Sequence, residues 1–148
     1  MKQIRLWPWA IGVVAASLIL TLAVIGGHDG ATLKAMSASE SMNDEQARAT
    51  AENTVRVWVR ERNALHLANV NALSCADTDN GALYREIEKV AAGQQTGALE
   101  RIVGTGTFTR NGSDWRLVTM FGDGAAQFQM RVVDGELRVC QIDSVPVP

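Results

Sequence analysis

The chain has 148 residues, a length typical of one folded domain, and its 47% hydrophobic and 20% charged residues exclude a disordered protein. The net charge of −2 argues against a protein that binds nucleic acid through phosphate contacts. With only two cysteines and two histidines, we expect neither a metal site nor a cofactor.

The N-terminal segment has the pattern of a membrane anchor. Lys2 and Arg5 precede an uncharged stretch at residues 6–25, which matches the roughly 20 residues that cross about 30 Å of hydrocarbon. Positive charge before an apolar stretch predicts that residues 1–5 lie in the cytoplasm and the rest of the chain outside it. A cleaved signal peptide is the alternative, although its apolar core is shorter, about 7–15 residues. We therefore predict a single-pass cell-membrane protein that contacts the lipid bilayer through residues 6–25.

The remainder of the chain divides by composition. Residues 26–43 are rich in Gly, Ser and Ala without a sustained apolar period, which predicts a flexible linker. Residues 44–148 have an ordinary globular composition and predict one extracytoplasmic domain. Without Lys2 and Arg5, 12 of the 14 basic residues remain against 16 acidic ones, which gives the external part a net charge of −4.

The first half of the domain predicts helices. Asn43 or Asp44 can cap a first helix. Its apolar residues recur at helical spacing and are Ala47, Ala51, Val55, Trp58 and Val59. A second, short helix is predicted over residues 70–75, and a third over about residues 80–93.

After residue 96 the apolar period becomes two and predicts strands. Tight-turn sequences at residues 111–112, 122–124 and 134–135 separate four strands, which predicts an antiparallel meander. Ile102, Gly104, Gly106 and Phe108 are expected to share one face of the first strand. The last strand predicts either two partly buried faces or a bulge near Val139. Three helices covering one face of this sheet make an α+β domain.

The two cysteines predict a disulfide. Cys75 and Cys140 both lie in the external part, and an even count in an oxidising compartment favours pairing. The bridge would join the second helix to the last strand. Two unpaired buried thiols are the alternative.

Residues 44–148 resemble the nuclear-transport-factor-2-like superfamily. The likeness rests on the order and length of the elements and on the segment ENTVRVWVRERNALHLANVNALSC at residues 52–75. The pairing of Leu73–Cys75 with Val139–Cys140 is similar to that in membrane-tethered actinobacterial members, including mammalian-cell-entry-associated membrane proteins. The resemblance implies three helices packed on a curved four-stranded meander in the shape of a cone. Enzymes of this superfamily need an acidic residue inside the cone, and the predicted inward strand positions carry none, so we expect no enzyme.

Two functions remain open. The first is a non-catalytic interaction or assembly module that contacts other envelope proteins. The second is a domain that holds a small apolar ligand in the cone. The residues predicted to line such a pocket are Trp58, Tyr84, Phe108, Trp115, Phe128 and Met130. A filled cone favours the interaction module, and a continuous apolar cavity favours the ligand.

Overall fold

The domain is an α+β fold with a curled antiparallel sheet of five strands. The computed structural model describes residues 31, 33–78, 81–94 and 101–146, so the predicted membrane segment at residues 6–25 lies outside the described residues. Within them, no helix combines the length and the apolar character that crossing a bilayer requires. The elements in chain order are β1 (Met36–Ser37), α1 (Asp44–Asn63), α2 (Leu67–Ala72), α3 (Gly81–Ala91), β2 (Ile102–Asn111), β3 (Asp114–Phe121), β4 (Gly124–Val133) and β5 (Glu136–Val145).

Helix α1 begins and packs as its sequence predicts. The Asn43 side chain accepts a hydrogen bond from the Gln46 amide at 2.8 Å, while the Gln46 side chain accepts one from the Asn43 amide at 3.3 Å. This reciprocal pair satisfies two amides at the start of the helix. The predicted apolar stripe is fully buried and consists of Ala47, Ala51, Val55, Trp58 and Val59.

The two shorter helices follow the predicted order with small shifts. Helix α2 lies earlier than predicted and ends at Ala72, so Cys75 follows the helix instead of closing it. Helix α3 begins at Gly81 and ends before Gly93, whose positive φ of 68° suits a residue without a side chain.

The sheet contains the predicted meander and one further strand. Its strand order is β1-β5-β4-β3-β2, with every pairing antiparallel. The predicted alternation holds in β3, where Trp115, Leu117, Thr119 and Phe121 are all buried. The four-stranded meander is therefore confirmed, and the sheet has five strands because β1 adds to its β5 edge.

Part of the segment predicted to be a flexible linker packs against the domain. Met36 and Ser37 pair with Leu137 and Glu136 of β5, and Ala35 and Ala38 on either side are buried. A two-residue strand offers too little alternation to be predicted from its sequence, because its hydrogen bonds come from the partner strand.

Strand β2 carries two bulges that change which residues face α1. Its register with β3 slips by one residue between Ile102 and Gly104 and again between Thr105 and Phe108. Thr105 consequently faces the helix, since its hydroxyl donates a hydrogen bond to an α1 carboxylate at 2.9 Å. Gly104 and Gly106 instead lie against outward side chains of β3. The expectation that both glycines share a face with Ile102 and Phe108 is wrong, because each bulge restarts the two-residue period.

Strand β5 contains the predicted bulge. Its register with β4 slips at Cys140, which becomes the extra residue of the strand. Leu137 and Val139 before the bulge and Ile142 after it are all buried. The bulge thus explains how both odd-numbered and even-numbered residues of β5 face the core. It confirms the bulge as one of the two alternatives predicted for this strand.

The predicted disulfide is present between Cys75 and Cys140, with a Cα–Cα distance of 4.8 Å. Backbone hydrogen bonds reinforce it: the Cys75 amide donates to the Val139 carbonyl at 2.8 Å, and the Val139 amide donates to the Leu73 carbonyl at 2.9 Å. The segment that follows α2 therefore hydrogen-bonds to the same edge of β5 as β1 does, farther along the strand.

Candidate functional site

The space between α1 and the sheet is filled by aromatic side chains. Trp58 of α1 meets Phe128 of β4 edge-on with ring centroids 6.0 Å apart, and Phe108 meets Trp115 in the same way at 6.0 Å. The accessible fractions of Trp58, Trp115 and Phe128 are all 0%, and that of Met130 is 1%. A side chain without accessible surface borders neither solvent nor a void that could hold water. Trp58, Trp115, Phe128 and Met130 belong to the packed core of the domain, and Phe108 packs against it.

The polar tips of both buried indoles have partners. Trp58 Nε1 donates to Ser74 Oγ at 3.0 Å, and Ser74 Oγ donates to the Val70 carbonyl at 2.7 Å. Trp115 Nε1 donates to the Gly112 carbonyl at 3.1 Å. The two tryptophans therefore act as hydrogen-bonded core anchors. Tyr84, the sixth residue predicted for the pocket, is on α3 and is 39% exposed.

The half-buried side chain of Glu52 on α1 faces strand β2. Glu52 Oε1 accepts hydrogen bonds from the Thr105 hydroxyl at 2.9 Å and from Arg48 Nε at 3.0 Å. The Thr105 hydrogen bond lowers the pKa of Glu52, and it outweighs the opposing effect of burial. The carboxylate of Glu52 is thus kept ionised, and its Oε1 atom is hydrogen-bonded to both neighbours. Its inward contact depends on the β2 bulges, which a uniform alternation of residues does not reveal.

Glu61 is buried near the end of α1, although its helical position predicts solvent exposure. Its Oε2 lies 2.8 Å from His66 Nδ1 and accepts a hydrogen bond from Asn69 Nδ2 at 2.9 Å, and its Oε1 accepts one from Arg60 Nε at 2.8 Å. Burial raises the pKa of Glu61, but the hydrogen bonds from Asn69, His66 and Arg60 outweigh it and leave the pKa lowered. Asn69 Oδ1 in turn accepts the Leu33 amide at 3.2 Å. The cluster connects α1, α2 and the segment before β1, so its role is structural.

A polar groove of about 620 Å³ lies on the sheet face that points away from α1. We call it the outer groove. Four arginines and two aspartates line it, and they are Arg110, Arg116, Arg131, Arg138, Asp77 and Asp114. A second hollow, of about 600 Å³, lies beside the start of α1 at Asp44 and Arg110, which form an ion pair at 2.8 Å.

The floor of the outer groove is a row of side chains that crosses four strands. Each residue of the row is the register partner of the next one, and from β2 to β5 they are Thr109, Arg116, Gln129 and Gln141. At about 4.8 Å between neighbouring strands, this row is about 14 Å long. It is polar throughout and contains no aromatic side chain on which a sugar or a base could stack.

The arginines of the groove differ in how their charge is compensated. Arg131 pairs with Asp114 at 2.9 Å, and this carboxylate raises the pKa of Arg131, with a smaller contribution from Asp77. Arg138 pairs with Glu136 at 3.0 Å. Arg116 is exposed and has no ion pair with any residue that the structure describes.

One wall of the groove is the segment held by the disulfide. This wall follows α2 in the chain, and the residues that line the groove from it are Cys75, Ala76 and Asp77. The Cys75–Cys140 bridge fastens this wall to β5, and the Thr78 hydroxyl donates to the Cys75 carbonyl at 2.7 Å. Sequence reasoning paired the cysteines but gave no sign of the groove, because its arginines are distant in sequence and converge only through the strand register.

Among residues 33–78, 81–94 and 101–146, no group of three or more His, Cys, Asp or Glu side chains is placed to hold a metal ion. No protein-family model matches the chain, and neither the curated proteins nor the solved structures contain a match to it.

Proposed function

We propose that the chain is a single-pass cell-envelope protein whose extracytoplasmic domain is a non-catalytic interaction or assembly module. The observation that carries this proposal is the filled interior. The side chains of Trp58, Trp115 and Phe128 have no accessible surface, so the domain offers its recognition surface on the outside of the sheet. The outer groove is a concave part of that outside surface.

Two further features support the proposal. The carboxylates of Glu52 and Glu61 are engaged by neighbouring side chains, which leaves neither of them free to act as a base on a substrate. A disulfide between Cys75 and Cys140 suits an oxidising compartment, in agreement with an anchor at residues 6–25 that exports the domain. A relationship to the nuclear-transport-factor-2-like superfamily belongs to the same proposal, since helices followed by a curled meander are the order it implies.

The test is site-specific photo-crosslinking of the full chain in its native membrane. A photoreactive benzoyl-phenylalanine replaces Thr109, an exposed residue on the floor of the outer groove. The matched control carries the same group at Glu88, an exposed position on α3. The proposal predicts a discrete adduct of the Thr109→benzoyl-phenylalanine variant and none of the Glu88 variant. Absence of adducts from both positions, in a folded and membrane-inserted chain, would contradict it.

A further inference from the structure

The outer groove brings arginines from neighbouring strands close together. Arg131 of β4 and Arg138 of β5 lie directly opposite each other in register, on the same face of the sheet. Like charges in directly opposed positions destabilise an antiparallel pair. Arg131 pairs with Asp114, and Arg138 pairs with Glu136.

Arg116 adds a third positive charge next to this pair. Its register partner on β4 is Gln129, two residues before Arg131, so the two guanidinium groups start from diagonal positions on neighbouring strands. Diagonal neighbours of this kind are about 7–8 Å apart. Arg116 is exposed and unpaired among the described residues, so it can bind an incoming anion without first losing an internal ion pair.

We propose that the outer groove binds an extended acidic segment of a partner protein, with Arg116 as its anchoring cation. The inference rests on the proposed interaction function and names the chemistry of the partner. Alternate side chains of an extended chain are about 7 Å apart, which matches the diagonal from Arg116 to Arg131. A segment with acidic residues at alternate positions therefore presents one carboxylate to each guanidinium.

The length and charge of the groove favour a peptide over a polyanion. A floor of about 14 Å accommodates about four extended residues. The four arginines and two aspartates that line the groove give it a net charge of +2, which matches the few carboxylates of a short acidic peptide better than the dense charge of a nucleic acid. The side-chain amide nitrogens of Gln129 and Gln141 on the floor each donate to Asp143, at 2.6 and 2.8 Å, which leaves their carbonyl oxygens to accept hydrogen bonds from a peptide backbone.

The test measures peptide binding to the purified full chain in mild detergent at low ionic strength. The probe is a fluorescein-labelled peptide Ser-Glu-Ser-Glu-Ser-Glu-Ser, and its twin carries Gln at each Glu position. We expect the acidic peptide to bind at least tenfold more tightly than its twin, and added salt to weaken it. Arg116→Gln should reduce the affinity at least fivefold. Arg85→Gln, at an exposed arginine on α3, should leave the affinity unchanged.

Three outcomes would overturn the inference: equal binding of the two peptides, an equal loss in the Arg85→Gln variant, and no binding of the acidic peptide. Binding of tripolyphosphate without binding of the acidic peptide would also overturn it, since the groove would then be a site for phosphate groups. Circular dichroism of both variants checks that each is folded. If the peptide fails to bind while the crosslinked adduct from position 109 persists, only the acidic-partner inference is lost. If both fail, the interaction function is lost as well.

Discussion

Loss of the disulfide should destabilise the domain by about 4 kcal/mol. Cys75 and Cys140 are 65 residues apart in sequence, and closing a loop of that length lowers the entropy of the unfolded chain by an amount worth about 4 kcal/mol. Both cysteines are half-buried, so replacing them with serine adds little cost from lost apolar burial. For a domain of this size the expected fall in Tm is about 15 °C.

The assay is urea unfolding of the full chain, followed by far-ultraviolet circular dichroism. Cys75→Ser, Cys140→Ser and the double variant should lose the same free energy of unfolding, because each removes the same bond. The wild-type chain in reductant should unfold at the urea concentration of the variants. The backbone pair between Val139 and the segment at residues 73–75 remains in every variant, so the folded sheet should persist in the absence of urea.

Two results would refute this reasoning. The first is a double variant whose loss equals the sum of two separate losses, because the cysteines would then contribute independently. The second is a thiol titration that finds two free thiols in the unreduced protein. Mass spectrometry of the unreduced chain should instead recover one crosslinked peptide containing Cys75 and Cys140.

Three further substitutions test the interior and the helices. Ser74→Ala leaves the buried Trp58 indole N–H without its partner and should cost about 1–3 kcal/mol in urea unfolding, and an unchanged midpoint would contradict that hydrogen bond. The lowered pKa of Glu61 means that its carboxylate stabilises the fold above its ordinary value of 4.5 and loses this effect as the pH falls through the lower folded value. Glu61→Gln should therefore flatten the acid-side loss of stability, and an acid-side slope equal to that of the wild type would argue against it. Tyr84→Phe should change neither the urea midpoint nor the crosslinking from the groove, since this side chain is 39% exposed and outside the core; loss of crosslinking with unchanged stability would assign Tyr84 a role in binding.

Local patterns were sufficient for the elements whose residues repeat regularly. The stripe of α1 and the alternation of β3 each bury one continuous face, so period alone identifies the core residues Trp58 and Trp115. The bulge of β5 also left a trace in the sequence, because Leu137, Val139 and Ile142 cannot all face one side of a regular strand.

The rest depends on contacts between distant segments. The bulges of β2 turn Thr105 toward α1, and glycines at 104 and 106 give no hydrophobic signal that marks the change of face. Burial of Glu61 depends on His66 and Asn69 folding back from α2. The outer groove requires the register of four strands, which no local pattern specifies.

The contact of Leu33 with the domain limits how far the domain can lie from a membrane. In the proposed topology the apolar segment ends at residue 25, and the first described backbone contact with the domain body is made by Leu33. Eight residue steps span at most about 28 Å when fully extended, compared with about 63 Å for a free tether across all of residues 26–43. A tether of this length keeps Leu33, where the chain joins the domain, within about 3 nm of the bilayer surface. Partners anchored in the same bilayer would then encounter the domain at a high local concentration. A partner anchored farther from this bilayer would have to extend toward the membrane to bind the domain.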